Sequence, residues 1–333
     1  MPRIRRRIES NCCYSLVFRA RETLPFSCQK LVKLLTKSAI ARTQHNDKVI
    51  LCHDIWNGSH PHIIMLSKDS AAVVAFHGQI KKRVTDSMKR LLGLKHLTIW
   101  EGNNVPAKLG ELGDAMDQIA YLYANPAQDN LQDSIELFPG LSSWNEFNRS
   151  LDTLGAKTQE WVPWVRMPTV PVLESRVLEP HMDRKLTKLI RRLNKQQERI
   201  VREPNAWMRA YGVVDDDRVK EINQEILKLV RAKERIAREL RAENNQKVLG
   251  SQALLEQPVL MEHEPKKHGN RISIICKNKW LRIALIENYK AFLKACRVCW
   301  LRYCDGEYDI EWPPGAFKPP LRPLVNLLNP AFV

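Results

Sequence analysis

The sequence predicts an α+β fold: an antiparallel sheet with helices on one face, followed by a mainly helical basic C-terminal region. Three observations carry this. Apolar stretches of strand length alternate with amphipathic stretches of helix length up to residue 150. An Asn57-Gly58 pair, whose residues tolerate positive φ, separates two of the strand-like stretches. Beyond residue 150, long charged helical patterns alternate with proline-rich segments.

The elements follow in order. CYSLVFRA (13–20) reads as a strand. Ser27 is placed to cap a helix through His45, with Leu31, Leu34 and Leu35 on its apolar face. KVILCHDIW (48–56) is the next strand, and Asn57-Gly58 predicts a tight hairpin that returns through SHPHIIML (59–66). Asp69 or Ser70 caps a second helix over roughly 71–92, which carries the basic run Lys81, Lys82 and Arg83. HLTIW (96–100) reads as a fourth strand, and a further helix over roughly 112–124 stops near Asn125-Pro126. Strand, helix, hairpin, helix, strand, helix is the ferredoxin-like split βαβ order. It defines a first domain over residues 1–150.

Residues 151–333 form the second region. EWVPWVRMPTVPVLE reads as a linker or a draped segment. Leu186, Leu189, Leu193 and Ile200, then Val219, Ile222, Ile226, Leu229, Ile236 and Leu240, keep heptad-like spacing. They predict an antiparallel helical hairpin over about 183–247, with Asp215, Asp216 and Asp217 at the start of its second helix. RISIIC (271–276) can form a strand, residues 278–304 a long amphipathic helix, and the tail a proline-rich extended segment.

Charge points to a polyanionic partner. The 333 residues carry 53 Lys+Arg against 37 Asp+Glu, a formal net charge of +16, for which nucleic acid or an acidic membrane are the candidates. No apolar run is long enough to span a bilayer, and no secretory signal is legible, so a cytoplasmic location is expected. The basic N-terminus, with Arg5, Arg6 and Arg7, reads equally as a phosphate-gripping arm and as a solvated end. Eight irregularly spaced cysteines suit reduced thiols. Cys296-x-x-Cys299 lacks the second pair that structural zinc usually needs, and reads as small apolar residues on a helix.

Two constellations bear chemistry. In a strand, His60 and His62 point to one side, roughly 7 Å apart at Cα, and both imidazoles can converge on one divalent ion. Pro61 between them implies a strand edge or a bulge. With a two-residue turn, His53 faces His62 and is either an extra ligand or a half-buried neighbour. Two histidines alone are also a common accident. Downstream, in DQIAYLYANPAQDN, Tyr121 and Asn125 lie four apart and share a helix face, whereas Tyr123 lies about 160° around from Asn125. The spacing selects Tyr121 over Tyr123 as a nucleophile. The competing reading is an aromatic buried in an amphipathic helix. Asp117, one turn earlier, reads as a solvated charge or an orienting group for Tyr121.

SHPHII, followed by YLYANPAQDNLQDSIELFPGLSSW, resembles the single-tyrosine transposases of the HUH endonuclease superfamily, and among them the REP-associated branch. The resemblance spans about residues 10–150. It implies that His60, His62 and Asn125 hold Mg²⁺ or Mn²⁺, and that Tyr121 cleaves single-stranded, hairpin-bearing DNA through a 5′-phosphotyrosine intermediate. It further implies a homodimer. Pro61 departs from the bulky hydrophobic residue that such relatives carry between the histidines. Arg191, Arg192, Lys195 and Arg199, with the Lys81–Arg83 run, are candidate phosphate contacts, or else solvated charges. No nucleotide-binding glycine loop is present, so no nucleotide cofactor is expected. A non-catalytic hairpin-binding protein of the same fold, and a replication initiator or relaxase, are the alternatives.

Overall fold

The computed structural model describes residues 7–20, 23–25, 28–46, 49–58, 60–101, 106–262, 273–316 and 319. In chain order its elements are β1 (Cys13–Val17), β2 (Thr23–Pro25), α1 (Lys30–Asn46), β3 (Ile50–Trp56), β4 (His62–Leu66), α2 (Ser70–Leu91), β5 (Ala107–Leu109) and α3 (Leu112–Gln128). Then follow β6 (Leu141–Ser142), α4 (Trp144–Asn148), β7 (Thr158–Pro163), α5 (Pro180–Leu193), β8 (Gln197–Arg202), α6 (Asp216–Glu243), α7 (Ser251–Glu256), β9 (Leu260–Glu262), β10 (Ile274–Ile275) and α8 (Lys279–Cys304).

A mixed sheet runs in the order β10-β5-β1-β4-β3-β8-β7, with β6 also pairing β3, and β2 and β9 form a separate pair. Strand alternation sends successive side chains to opposite faces. Tyr14, Leu16, Ile63 and Met65 pack beneath α1, α2 and α5, whereas Cys13, Ile64 and Leu66 pack beneath α3 and α6. The sheet is therefore covered on both faces, not on one as the sequence suggests. β3 and β4 are buried along their whole length, apolar except for His53, Asp54 and His62, which find polar partners.

Several expected elements change. HLTIW forms no strand among the described residues: Trp100 makes one bridge to Ala20, and the place beside β1 goes to β5. The helix bearing Tyr121 continues through Pro126 to Gln128, because a proline in the last turn forfeits only one internal hydrogen bond. The two charged segments form no helical hairpin. Ile200 lies in β8, which runs between α5 and α6, and the two helices sit on opposite faces, α5 against α1 and α6 against α3. Residues after 150 thus add β7 and β8 to the same sheet, β8 joining β3 in parallel and β7 joining β8 antiparallel. The expected N-terminal cap at Ser27, Arg5 and Arg6, and nearly all of the proline-rich tail lie outside the described residues.

Capping is partly long-range. Asp69 accepts from Ala71 N–H at the start of α2, and Asp215 accepts from Arg218 N–H at 2.7 Å at the start of α6. For α1 the acceptor comes from α5: Asp183 takes Lys30 N–H at 2.8 Å and Leu31 N–H at 2.7 Å. At the far edge, β10 approaches Gly110 so closely that a Cβ there would lie 2.8 Å from Cys276. Cys296 and Cys299 lie with Phe292 and Tyr303 on the buried stripe of α8, as small apolar side chains.

Candidate nucleophile and metal-binding cluster

The hairpin is looser than a two-residue turn. Ile55 pairs with His62 and His53 with Ile64, so β3 ends at Trp56 and β4 begins only at His62. His60 and Pro61 therefore precede the strand. Pro61 needs no edge or bulge: its missing N–H falls just before the central strand β4, while its carbonyl accepts Phe18 N–H at 3.1 Å. The shifted register also removes His53 from the pair. His53 is fully buried against Phe147, and its Nδ1 shares a 2.8 Å hydrogen bond with Tyr123 OH.

β4 sends His62 to the face covered by α3. There its Nε2 accepts from Asn125 Nδ2 at 2.9 Å, and its ring meets that of Tyr121 edge-on with centroids 5.7 Å apart. The His60 and His62 rings lie 5.1 Å apart. Asp129, one turn beyond Asn125, places Oδ2 3.3 Å from His60 Nε2. Tyr121, Asn125 and Asp129 thus occupy successive turns of one helix stripe, running past both histidines. The packing that presses α3 to the sheet comes from Ile119, Leu122 and Tyr123 against Ile64 and the α6 residues Ile222 and Ile226. Tyr123 OH meets Ser143 Oγ at 3.0 Å in addition to His53, deep in this core. Tyr121 keeps 37% of its surface exposed.

Burial, reinforced by the positive fields of His60 and Arg19, pushes His62 down to about 3, so its imidazole is neutral at physiological pH. Neutral imidazole is the form that ligates metal. Burial and the Asp129 carboxylate raise Tyr121 above the ordinary phenol value, and Arg19 opposes the shift. Asn125 Oδ1 is buried without a hydrogen-bond partner. A half-turn of the amide exchanges this oxygen with the nitrogen beside His62. Among the described residues, no three His, Cys, Asp or Glu side chains gather into a metal-binding group. A donor set here needs the amide of Asn125.

The other sequence candidates lie elsewhere. Asp117 pairs with Lys277, and Arg7 with Glu9 at 2.7 Å. Lys81, Lys82 and Arg83 are on α2, and Arg191 and Arg192 are on α5, both on the sheet face opposite α3. Lys195 follows α5, and Arg199 stands opposite Trp161 in the β7–β8 pair. None of these cations is brought beside Tyr121. Sequence reasoning missed Arg19 and Asp129. Helical spacing from Asn125 already carries the signal for Asp129, and strand alternation from Val17 carries it for Arg19.

No described helix is long and apolar enough to cross a membrane. No family model and no curated protein matches the chain. Among solved structures, a REP-associated tyrosine transposase bound to a REP hairpin is similar to 45% of this chain and 86% of its own, at 17% identity and a TM-score of 0.39.

Proposed function

We propose that the chain is a metal-dependent transposase that cleaves and rejoins single-stranded DNA at hairpin-bearing sites. The observation that carries this reading is the convergence of Tyr121, Asn125, His62 and His60, drawn from one helix and the start of one strand. The donor set fits Mg²⁺ or Mn²⁺: two imidazoles, one of them held neutral, and an amide whose buried oxygen lacks a partner. Bound by His60, His62 and Asn125, such an ion supplies Lewis-acid polarisation of a phosphate oxygen.

The chain's own residues account for the rest. The half-exposed Tyr121 gives its phenolic proton to solvent, and its oxygen attacks phosphorus. The bond from phosphorus to the 3′-oxygen breaks, that oxygen leaves and takes up a proton, and a 5′-phosphotyrosine ester remains. A second 3′-hydroxyl reverses the step without a nucleotide. Arg19 favours the phenolate, against burial and Asp129. The net charge of +16 suits a polyanionic substrate. Each chain brings one Tyr121, so two linked cleavages take a homodimer or two successive rounds.

The test is covalent capture. Hairpin oligonucleotides with randomised flanks, labelled at the 3′ end, are incubated with the protein and Mn²⁺ and resolved under denaturing conditions. The wild type should acquire label, and Tyr121→Phe should acquire none. Label retained on Tyr121→Phe overturns the assignment.

A further inference from the structure

Asp129 sits where a helix does not want a carboxylate. It is the C-terminal cap of α3, at the negative end of the macrodipole, and the last turn of that helix holds no basic side chain. Its offsetting partner is His60, with Oδ2 3.3 Å from Nε2. Both side chains are only about one quarter exposed, 27% and 26%, so the contact is partly sheltered from water. It is also the third member of the stripe that offers Tyr121 and Asn125 to His62.

His60 lies before β4, outside the ladder, so strand pairing does not fix its ring as it helps to fix that of His62. An imidazole has two nitrogens, and the hydrogen bond made by one decides which tautomer is present. Ligating histidines commonly donate their other N–H to a carboxylate, which sets ring orientation and raises basicity.

We propose that Asp129 is a positioning residue for His60. Its carboxylate accepts Nε2–H, selects that tautomer and leaves Nδ1 as the lone-pair nitrogen offered to the cation. On this assignment the site is a His60–His62–Asn125 donor set backed by a carboxylate from the same helix as the nucleophile. The inference deepens the metal-dependent reading above and rests on it.

The experiment uses the full chain, with Mn²⁺ alone as the probe. Wild type, Asp129→Ala, Asp129→Glu and His62→Ala are compared by calorimetric titration. The His60 tautomer is read separately, on metal-free protein with ¹⁵N-labelled histidine, from its long-range proton–nitrogen couplings. Wild type should show His60 protonated at Nε2. Asp129→Ala should lose that preference and bind Mn²⁺ about 10- to 100-fold more weakly. Asp129→Glu should recover both properties at least in part, and unchanged thermal melting shows that the fold is intact. If wild type binds Mn²⁺ and His62→Ala does not, but Asp129→Ala matches wild type in affinity and tautomer, the role of Asp129 is overturned and the metal site stands. If wild type takes up no Mn²⁺, the metal-dependent reading itself falls, and this inference with it.

Discussion

Arg202 Nε donates to Asp54 Oδ1 at 2.7 Å, with the two side chains 1% and 0% exposed. This buried pair joins β8 to β3, and Glu146 and Glu160 approach the same guanidinium at 3.6 and 3.8 Å. Removing one partner of such a pair leaves a charge uncompensated in the interior. Asp54→Ala should therefore lower stability by about 3 kcal/mol, the low end for a broken buried pair because two glutamates remain nearby. Urea denaturation measures it. A double change, Asp54→Ala with Arg202→Met, should lose less than the single one.

Acid sensitivity follows from His53. Burial holds its folded-state pKa at about 3, below the ordinary 6.5. Between those values the unfolded chain binds a proton that the folded chain refuses. The contribution is complete above about pH 6.5 and is lost as the pH falls towards 3. At its steepest, stability drops by about 1.4 kcal/mol per pH unit for this one group. His62, similarly depressed, adds its own share. In His53→Gln, denaturation midpoints followed from pH 6 to pH 4 should show a shallower slope; an unaltered slope rules the account out.

The two tyrosines of α3 should separate cleanly by stability. Tyr123→Phe removes the partner of His53 Nδ1 and Ser143 Oγ in the core, and should cost about 1–2 kcal/mol. Tyr121→Phe keeps its ring packing and loses a hydroxyl near the surface, and should stay within about 0.5 kcal/mol of wild type. Paired melting curves decide it, and equal losses would contradict the placement of the two rings.

Asp183 should act at a distance. It accepts both Lys30 and Leu31 N–H groups, so Asp183→Ala leaves the first turn of α1 without its acceptor. The expected loss is about 1–2 kcal/mol, with faster amide exchange at residues 30 and 31. Exchange unchanged at those two amides would show that the cap does not hold in solution.

Local signals in the sequence suffice where local physics decides. The spacing of Tyr121 and Asn125 defines a helix face, Asp69 and Asp215 mark helix starts, and 278–304 reads as one helix. Misreadings come from long-range choices. Asn57-Gly58 signals a turn, but register is set by pairing along the whole of β3 and β4, and His53 consequently meets Tyr123 instead of His62. Apolar periodicity does not say which face of a sheet a helix will cover, so α5 and α6 look like neighbours and are not. Helical spacing puts Asp129 one turn beyond Asn125, but its contact with His60 is not legible, because His60 lies outside any regular element.

The moorings of α3 bear on the order in which the chain becomes usable. Lys277 N–H bonds Asp114 at 2.8 Å near the start of this helix, and Arg241 donates to the Ala127 carbonyl at 2.5 Å near its end. On an elongating ribosome, residues 60, 62, 121 and 125 have all emerged long before residues 241 and 277. At roughly 5–20 residues per second of synthesis, that interval is on the order of ten seconds. A chain cut before residue 241 therefore keeps residues 60, 62, 121 and 125 yet lacks both moorings of the helix that carries two of them.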